Sequence, residues 1–184
     1  AVLAGCGKSE GPKTINDTKK EETKGSGKLA EKQEMTFILN NEPDTIDPNV
    51  TSNSFAVPFL VNCFEGLVTY NEEGEIEPGN AEEWKANDDL TVWTFQLRDG
   101  LKWSDGSALT AKDYVYSALR VLTPETTGQY VNMISDYVVN AQEYYDGKVS
   151  AEEVGIKAVN DTTLEFTLKA PCPYFVDLVS MWVY

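Results

Sequence analysis

The chain has 184 residues, 41% hydrophobic and 11% aromatic, so most of it can bury a core. A net charge of −15 argues against nucleic acid as a partner, because phosphate binding needs clustered Lys and Arg; an acidic surface also simply favours solubility. Histidine is absent, which removes the commonest general base and metal ligand, and the three cysteines show no C-x-x-C spacing. We therefore expect no metal and no cofactor.

The N-terminus carries a candidate lipidation site. Residues 3–6 read Leu-Ala-Gly-Cys and look like a bacterial lipobox, in which a signal peptide is cut before a lipid-bearing cysteine, here Cys6. Residues 7–34 hold seven Lys, six acidic residues and four Gly, and predict a disordered tether that reaches roughly 30 Å. The alternative for these residues is a cloning scar or a loose terminus. Stable anchoring of Cys6 in a lipid bilayer needs more than one acyl chain.

The next segments predict a strand, a loop and a helix. Residues 35–39 are apolar and predict a short buried strand, and residues 40–53, rich in Asn and Pro, predict a loop. Residues 55–64 predict a helix with Ser54 as its cap, although Pro58 indicates an irregular first turn or a later start. The expected apolar side of this helix consists of Phe59, Leu60, Cys63 and Phe64.

Strands and turns are predicted over the following 35 or so residues. Residues 67–70 predict a strand and residues 71–74 a turn. Residues 91–97 alternate with period 2 and predict a half-buried strand with Trp93, Phe95 and Leu97 on one face. Asp-Gly turn dipeptides lie on both sides of residues 101–104, which therefore predict a short return strand.

A helix is predicted to begin at Thr110. Its hydroxyl can cap the first free amides, and Asp113 stands at capping-box spacing. The apolar face expected for this helix, with spacing i, i+3, i+4, i+7, consists of Val115, Ala118, Leu119 and Leu122.

The remaining residues predict short helices and one hairpin. Residues 129–146 predict two short helical pieces, and residues 150–153 (SAEE) have capping-box spacing, with Gly155 as a stop. Residues 156–159 and 163–169 predict a hairpin, and residues 174–182 a helix or strand. The fold class is therefore mixed α/β (α+β).

Cysteines and tryptophans favour structural roles. Cys63 fits a small buried hydrophobe, and the spacing leaves a Cys63–Cys172 disulfide open without favouring it. Trp84, Trp93 and Trp103 lie on patterned strands or turns and are expected to build the core. Acidic pairs such as residues 82–83 are adjacent in sequence and are typical of a solvated face rather than of opposed catalytic carboxylates.

Several motifs in one order resemble a known family. Residues 93–117 resemble the signature of the extracytoplasmic solute-binding proteins of ABC importers, in the oligopeptide and dipeptide class, solute-binding family 5. The other resembling motifs are an A-E-x-W element at 81–84, a D-P element at 47–48, an F-E-G-L element at 64–67, and residues 159–166 and 171–175. The resemblance implies the N-terminal part of a two-lobed periplasmic-binding-protein-like fold with a small inserted subdomain.

The resemblance also implies a domain organisation. Residues 1–6 would be the signal-peptide tail and lipobox, and residues 7–34 the tether. Residues 35–80 would start the first lobe, residues 81–161 would form the inserted subdomain, and residues 162–184 would return to the first lobe.

The candidate site is one wall of a peptide-binding cleft. In the resembled family, the loop after the D-P element runs beside the peptide backbone, and an aromatic residue after the signature helix packs on the peptide. Here that aromatic position is Tyr130, whose alternative is an ordinary half-buried tyrosine. Ser52 stands where many relatives have an acidic residue, which puts that one contact in question. The loop residues expected at the site are Asn49, Val50, Thr51, Ser52, Asn53 and Ser54.

The function implied by the resemblance is capture, without catalysis, of extended oligopeptides. The protein would be a lipid-anchored, extracytoplasmic monomer that delivers its ligand to ABC permease subunits in the cell membrane. Two alternatives stay open. One is another solute in the same fold, such as an oligosaccharide, a nickel chelate or haem. The other is a surface lipoprotein of a different class, an enzyme or an adhesin.

Overall fold

The computed structural model describes Glu34, Thr36, Ile38, Leu39 and residues 41–184. Cys6, the predicted lipobox and nearly all of the predicted tether lie outside these residues. The strand predicted at residues 35–39 falls partly outside them as well, and its three described residues take no regular structure. Ile38 is 92% exposed, so the expectation of burial is wrong there. A strand needs a neighbour for its backbone groups, and no described strand pairs with this segment.

Four antiparallel strands form the main sheet, in the order β3-β4-β6-β5. Their bounds are β3 Ala81–Ala86, β4 Val92–Leu97, β5 Ile156–Asn160 and β6 Thr163–Thr167. In β4, Trp93, Phe95 and Leu97 are buried and the residues between them are not, which confirms the predicted alternation. The predicted hairpin about residues 160–161 is also confirmed, as β5 and β6.

Strand β6 lies inside this sheet although it comes about 70 residues after β4. Phe95 pairs with Trp84 of β3 on one side and with Leu164 of β6 on the other. The sheet therefore continues across residue 162, where the resemblance implied a return to the first lobe. Residues 39–184 form one compact unit.

The segment after β4 folds on itself. Gly100 and Gly106 have φ of 74° and 88°, as the two Asp-Gly turns require. The predicted return strand at residues 101–104 is nevertheless wrong: it makes only a bridge between Lys102 and Ala108, because both edges of β4 are already taken by β3 and β6. Trp103 lies beside this second turn and is 41% exposed, so its predicted place in the core is also wrong.

Helix α2 (Ala111–Val121) packs on β5 and β6 and begins at the predicted capping box. The Thr110 backbone N–H donates to the Asp113 carboxylate at 2.7 Å. The buried face is rotated from the predicted one, because Tyr114 takes a central place on it where the apolar pattern had set Val115 and Leu119. The hydroxyl of buried Tyr114 accepts a hydrogen bond from the Asn80 side chain at 2.9 Å. A tyrosine with a partner for its hydroxyl can occupy a core position.

The N-terminal helix α1 (Val57–Cys63) begins later than residue 55. Ala56 occupies the cap position and Pro58 lies in the first turn, so Ser54 is not the cap. Proline fits this position because its missing N–H has no intrahelical partner there.

The outer side of α1 is exposed, contrary to the predicted burial. Leu60 is buried, whereas Phe59 and Phe64 are 37% and 48% exposed and Cys63 is exposed. Among the described residues, no strand or helix packs broadly over that side of α1. Both described cysteines are free, so the Cys63–Cys172 disulfide does not form.

Two strands follow α1 as a separate small sheet. They are β1 (Val68–Tyr70), which was predicted, and β2 (Ile76–Pro78), which was not. The predicted turn at residues 71–74 joins them, with Gly74 at φ 79°.

The predicted helical pieces between α2 and β5 are confirmed as α3 (Val131–Ser135) and α4 (Ala141–Tyr145). The SAEE capping box forms and closes a single 3₁₀ turn, in which the Ser150 N–H donates to the Glu153 carboxylate at 2.9 Å. Gly155 stands where a Cβ atom would come within 2.5 Å of the Thr167 carbonyl oxygen, so close strand packing accounts for it rather than a helix end.

The core centres on Phe175, at the start of helix α5 (Phe175–Leu178). Its ring is fully buried and contacts the rings of Trp93, Phe95, Phe166 and Tyr184, with centroid distances of 5.2–6.5 Å. These rings join the C-terminal segment to the sheet. None of the described helices has the length and apolar character to cross a bilayer.

Candidate functional site

The loop before α1 is held by hydrogen bonds within its own backbone and by its short polar side chains. The N–H groups of Val50 and Thr51 donate to the Asp47 carbonyl oxygen at 3.1 and 3.0 Å. The Asn53 N–H donates to the Thr51 hydroxyl at 3.1 Å, and the Phe55 N–H donates to the Asn53 side chain at 2.8 Å. Asn, Asp and Thr satisfy nearby backbone groups in this way outside helices and sheets. The confirmed loop is therefore an ordered one.

The six predicted loop residues do not face the same way. Asn49 and Thr51 are 5% and 1% exposed, so their side chains serve the interior. Val50 and Asn53 are half-buried, and Ser52 and Ser54 are exposed. The parts of this loop that are accessible to a ligand are therefore mainly Ser52, Ser54 and the adjoining backbone.

Arg120 of α2 anchors the start of the loop. Its two terminal nitrogens donate to the two carboxylate oxygens of Asp47 at 2.8 and 2.5 Å. One of them also donates to the Asn49 side-chain oxygen at 2.6 Å. The Asn49 side-chain nitrogen donates in turn to the Ser117 hydroxyl at 3.0 Å. Ser117 and Arg120 are three residues apart and lie on one side of α2.

The ion pair sets the charge state of Asp47. Hydrogen bonds from Arg120, with its positive charge, hold the pKa of Asp47 below its ordinary value and outweigh the opposing effect of burial. The same pair raises the pKa of Arg120. The two side chains are 34% and 31% exposed, so both charges keep some hydration.

Gly128 gives the loop close backbone packing. A Cβ atom at this position would lie 2.9 Å from the Asn49 carbonyl oxygen and 3.3 Å from that of Val121. The loop thus rests against the C-terminal end of α2 and the segment that leads to Tyr130.

Tyr130 lies at the N-cap of α3 and is half-buried. Its ring meets the Trp182 ring edge to face, with centroids 6.0 Å apart. The indole nitrogen of Trp182 is buried without a hydrogen-bond partner among the described residues. The approach of Gly128 to Asn49 brings the Tyr130 segment to the same side of the molecule as the loop.

Two cavities lie in the described part of the chain. The larger, about 360 Å³, is lined by Tyr116, Leu119, Arg120, Thr123, Thr126 and Tyr144. The smaller, about 170 Å³, lies beside Tyr137, Lys169 and Cys172. Neither of these two cavities is lined by Tyr130 or by residues 49–54. Within the described residues, no three His, Cys, Asp or Glu side chains come together to hold a metal ion.

Arg120, Ser117 and Gly128 were missed by sequence reasoning. The sequence signal for Arg120 was a charged residue among the apolar residues Ala118, Leu119, Val121 and Leu122. An unpaired charge on an apolar helix face is costly, so such a residue indicates a charged or polar partner. Nothing local pointed to its partners, which lie 73 and 71 residues away along the chain.

Comparison with known proteins gives one consistent family. Residues 75–184 match the family described as bacterial extracellular solute-binding proteins, family 5 Middle. The periplasmic murein peptide-binding protein MppA of Escherichia coli is 40% identical over 157 residues, which cover 85% of this chain and 29% of that protein. The probable deoxycholate-binding periplasmic protein YgiS of E. coli is 35% identical and covers 83% and 29%.

A solved structure supports the same relationship. Haemophilus influenzae OppA in complex with RPPGFSPFR is 36% identical to this chain and superposes with a TM-score of 0.79, over 85% of this chain and 31% of that one. The chain thus spans about three tenths of the length of the relatives that it matches.

Proposed function

The chain belongs to the bacterial extracellular solute-binding proteins of family 5, and from that premise we propose that it captures extended oligopeptides outside the cell membrane as part of the substrate-binding subunit of an ABC importer. The observation that carries the proposal is the match to a murein peptide-binding protein over 85% of this chain. The fold shared with an oligopeptide-binding protein solved in a peptide complex supports it.

The proposed binding mode uses the ordered loop at residues 49–54 as a wall. An extended peptide laid along it would exchange main-chain hydrogen bonds with the loop, as in strand addition, and waters would fill the space around varied side chains. Exposed Ser52 and Ser54 stand at this surface, and the half-buried ring of Tyr130 offers a flat apolar face with a hydroxyl. Closure of a second lobe about a hinge would complete the site.

We further propose the setting in which the protein acts. Cys6 would carry lipid and hold a monomeric protein at the outer side of the membrane, within reach of the permease subunits. In the expected domain organisation, α1, β1 and β2 would belong to the first lobe and β3, β4 and β5 to the inserted subdomain. The return to the first lobe would begin at residue 162 and include β6.

A second solute class has one observation in its favour. YgiS, a relative at 35% identity, is named as a probable deoxycholate-binding protein. An amphipathic steroid acid is therefore the second candidate ligand for this chain.

The test uses the full-length protein in thermal melts with three ligands: a mixed oligopeptide pool, deoxycholate and an oligosaccharide. A ligand at about 100 times its Kd stabilises the folded state by about 2.7 kcal/mol and raises the Tm. We expect a rise with the peptide pool. A rise with deoxycholate alone would refute the peptide proposal in favour of the second candidate.

A variant tests the place of Tyr130. Tyr130→Ala should weaken peptide binding about tenfold or more in calorimetry. The variant loses both the packing of the peptide on the ring face and one hydrogen bond from the hydroxyl. Tyr116→Ala is the matched control, since Tyr116 is 69% exposed on α2. Unchanged affinity in a folded Tyr130→Ala protein removes this residue from the site.

A further inference from the structure

We propose that Arg120 is the positioning residue of the peptide-binding wall, which it orients through Asp47 and Asn49 without touching the peptide. This proposal rests on the proposed function. It concerns the only described side chain that bonds to both of the residues at the start of the loop.

The geometry of the anchor is specific. A guanidinium presents its donors in a rigid planar fork that matches the two oxygens of a carboxylate, whereas an ammonium acts as a point charge. The fork fixes Asp47, and the third bond fixes which way the Asn49 amide turns, so that its nitrogen reaches Ser117. Two residues of the loop are thereby tied to two residues of one rigid helix.

The constraint continues along the loop through a relay of hydrogen bonds. The Asp47 carbonyl oxygen accepts from the Thr51 N–H, and the Thr51 hydroxyl accepts from the Asn53 N–H. The Asn53 side chain accepts from the Phe55 N–H, just before α1. Exposed Ser52 and Ser54 lie between these fixed points. Their orientation toward a ligand therefore depends on the anchor that Arg120 provides at the start of the loop.

Helix α2 also carries an exposed ion pair that is made through a single contact. Lys112 and Asp161 meet through one contact of 2.7 Å, and their side chains are 74% and 67% exposed. Such a pair has little structural effect. Lys112→Gln is therefore the matched control for Arg120→Gln, since each removes one positive charge from α2.

The test compares Arg120→Gln, Arg120→Lys and Lys112→Gln in the full-length protein. Amide hydrogen exchange is measured over residues 49–55 and over the main sheet, and affinity for a mixed oligopeptide pool is measured by calorimetry. In Arg120→Gln we expect exchange to rise about tenfold in residues 49–55 alone and peptide affinity to fall about tenfold, because charge-assisted bonds are lost from the anchor. Arg120→Lys keeps the charge without the fork and should restore neither, and Lys112→Gln should resemble the wild type.

Each other outcome overturns the proposal in a recognisable way. Unchanged exchange in Arg120→Gln, or full restoration by Arg120→Lys, overturns positioning by the fork. Faster exchange throughout the sheet shows general destabilisation instead. Faster loop exchange with unchanged affinity overturns the link to binding. If the wild-type protein binds no peptide, the proposed function is refuted, and the role of Arg120 in peptide binding is refuted with it.

Discussion

Replacement of Gly128 by Ala should loosen the contact between the loop and α2. The added Cβ atom would lie 2.9 Å from the Asn49 carbonyl oxygen, about 0.5 Å closer than ordinary contact, and the clashing atom belongs to backbone that cannot swing aside. Overpacking of this kind costs about 1–3 kcal/mol. The loss of chain freedom in the unfolded state returns about 0.4–1 kcal/mol. We therefore expect a net loss of about 1–2 kcal/mol in the free energy of unfolding.

The assay is urea denaturation followed by tryptophan fluorescence, with Gly66→Ala as the control. A Cβ atom at Gly66 would meet its nearest neighbour, the Val68 carbonyl oxygen, at 3.4 Å, which is ordinary contact. Neither glycine has a positive φ, so neither variant introduces left-handed backbone strain, and the compared difference is the space available to the Cβ atom. Equal stability of the two variants would refute the reasoning that close packing at Gly128 holds the loop.

Three further predictions follow from the core, the ion pair and the thiols. Phe175→Ala should lower the free energy of unfolding by about 3–5 kcal/mol, because the buried Phe175 ring contacts four other aromatic rings. The control is Val61→Ala at a 66% exposed position, which should change the free energy of unfolding by less than about 0.5 kcal/mol in the same urea assay. Because Arg120 lowers the pKa of Asp47, the order that this ion pair gives the loop should be complete above about pH 4 and should be lost as the pH falls further. NMR titration of the loop amides should show this loss. The pH-dependent change should be absent from the Asp47→Asn variant. A thiol reagent should modify exposed Cys63 in the folded protein, whereas it should modify buried Cys172 only in urea. Burial also raises the pKa of the Cys172 thiol, which lowers its reactivity further. Equal modification rates of the two thiols without urea would contradict the burial of Cys172.

Local signals in the sequence predicted local structure well. The alternation of β4, the capping boxes at Thr110 and Ser150, and the glycine turns each depend on residues within a few positions of one another. Physical chemistry acts at short range there, so the pattern and the structure agree.

Errors arose where a distant segment decides the outcome. Strand β3 was not predicted, because as an edge strand it carries charged residues on its exposed positions and shows no clear alternation. The return strand at residues 101–104 was wrong because β6, far along the chain, occupies the edge that it needed. The burial expected for α1 failed for a related reason, since a helix face is buried only if some other element covers it.

The candidate site shows the same division. The resemblance pointed to residues 49–54 and Tyr130, and the order within the loop agrees with its Asn and Thr content. The anchor itself joins residues more than 70 positions apart, so no local pattern could disclose it.

The central place of β6 has a consequence for synthesis of the chain. The β3–β4 hairpin leaves the ribosome long before residue 163, and until then β4 presents an unpaired edge with Trp93 and Phe95 uncovered. An unpaired strand edge invites association with other chains, and pairing over such a separation is slow. The main sheet should therefore stay incomplete, with this edge of β4 open, until β6 has also been synthesised and can pair with it.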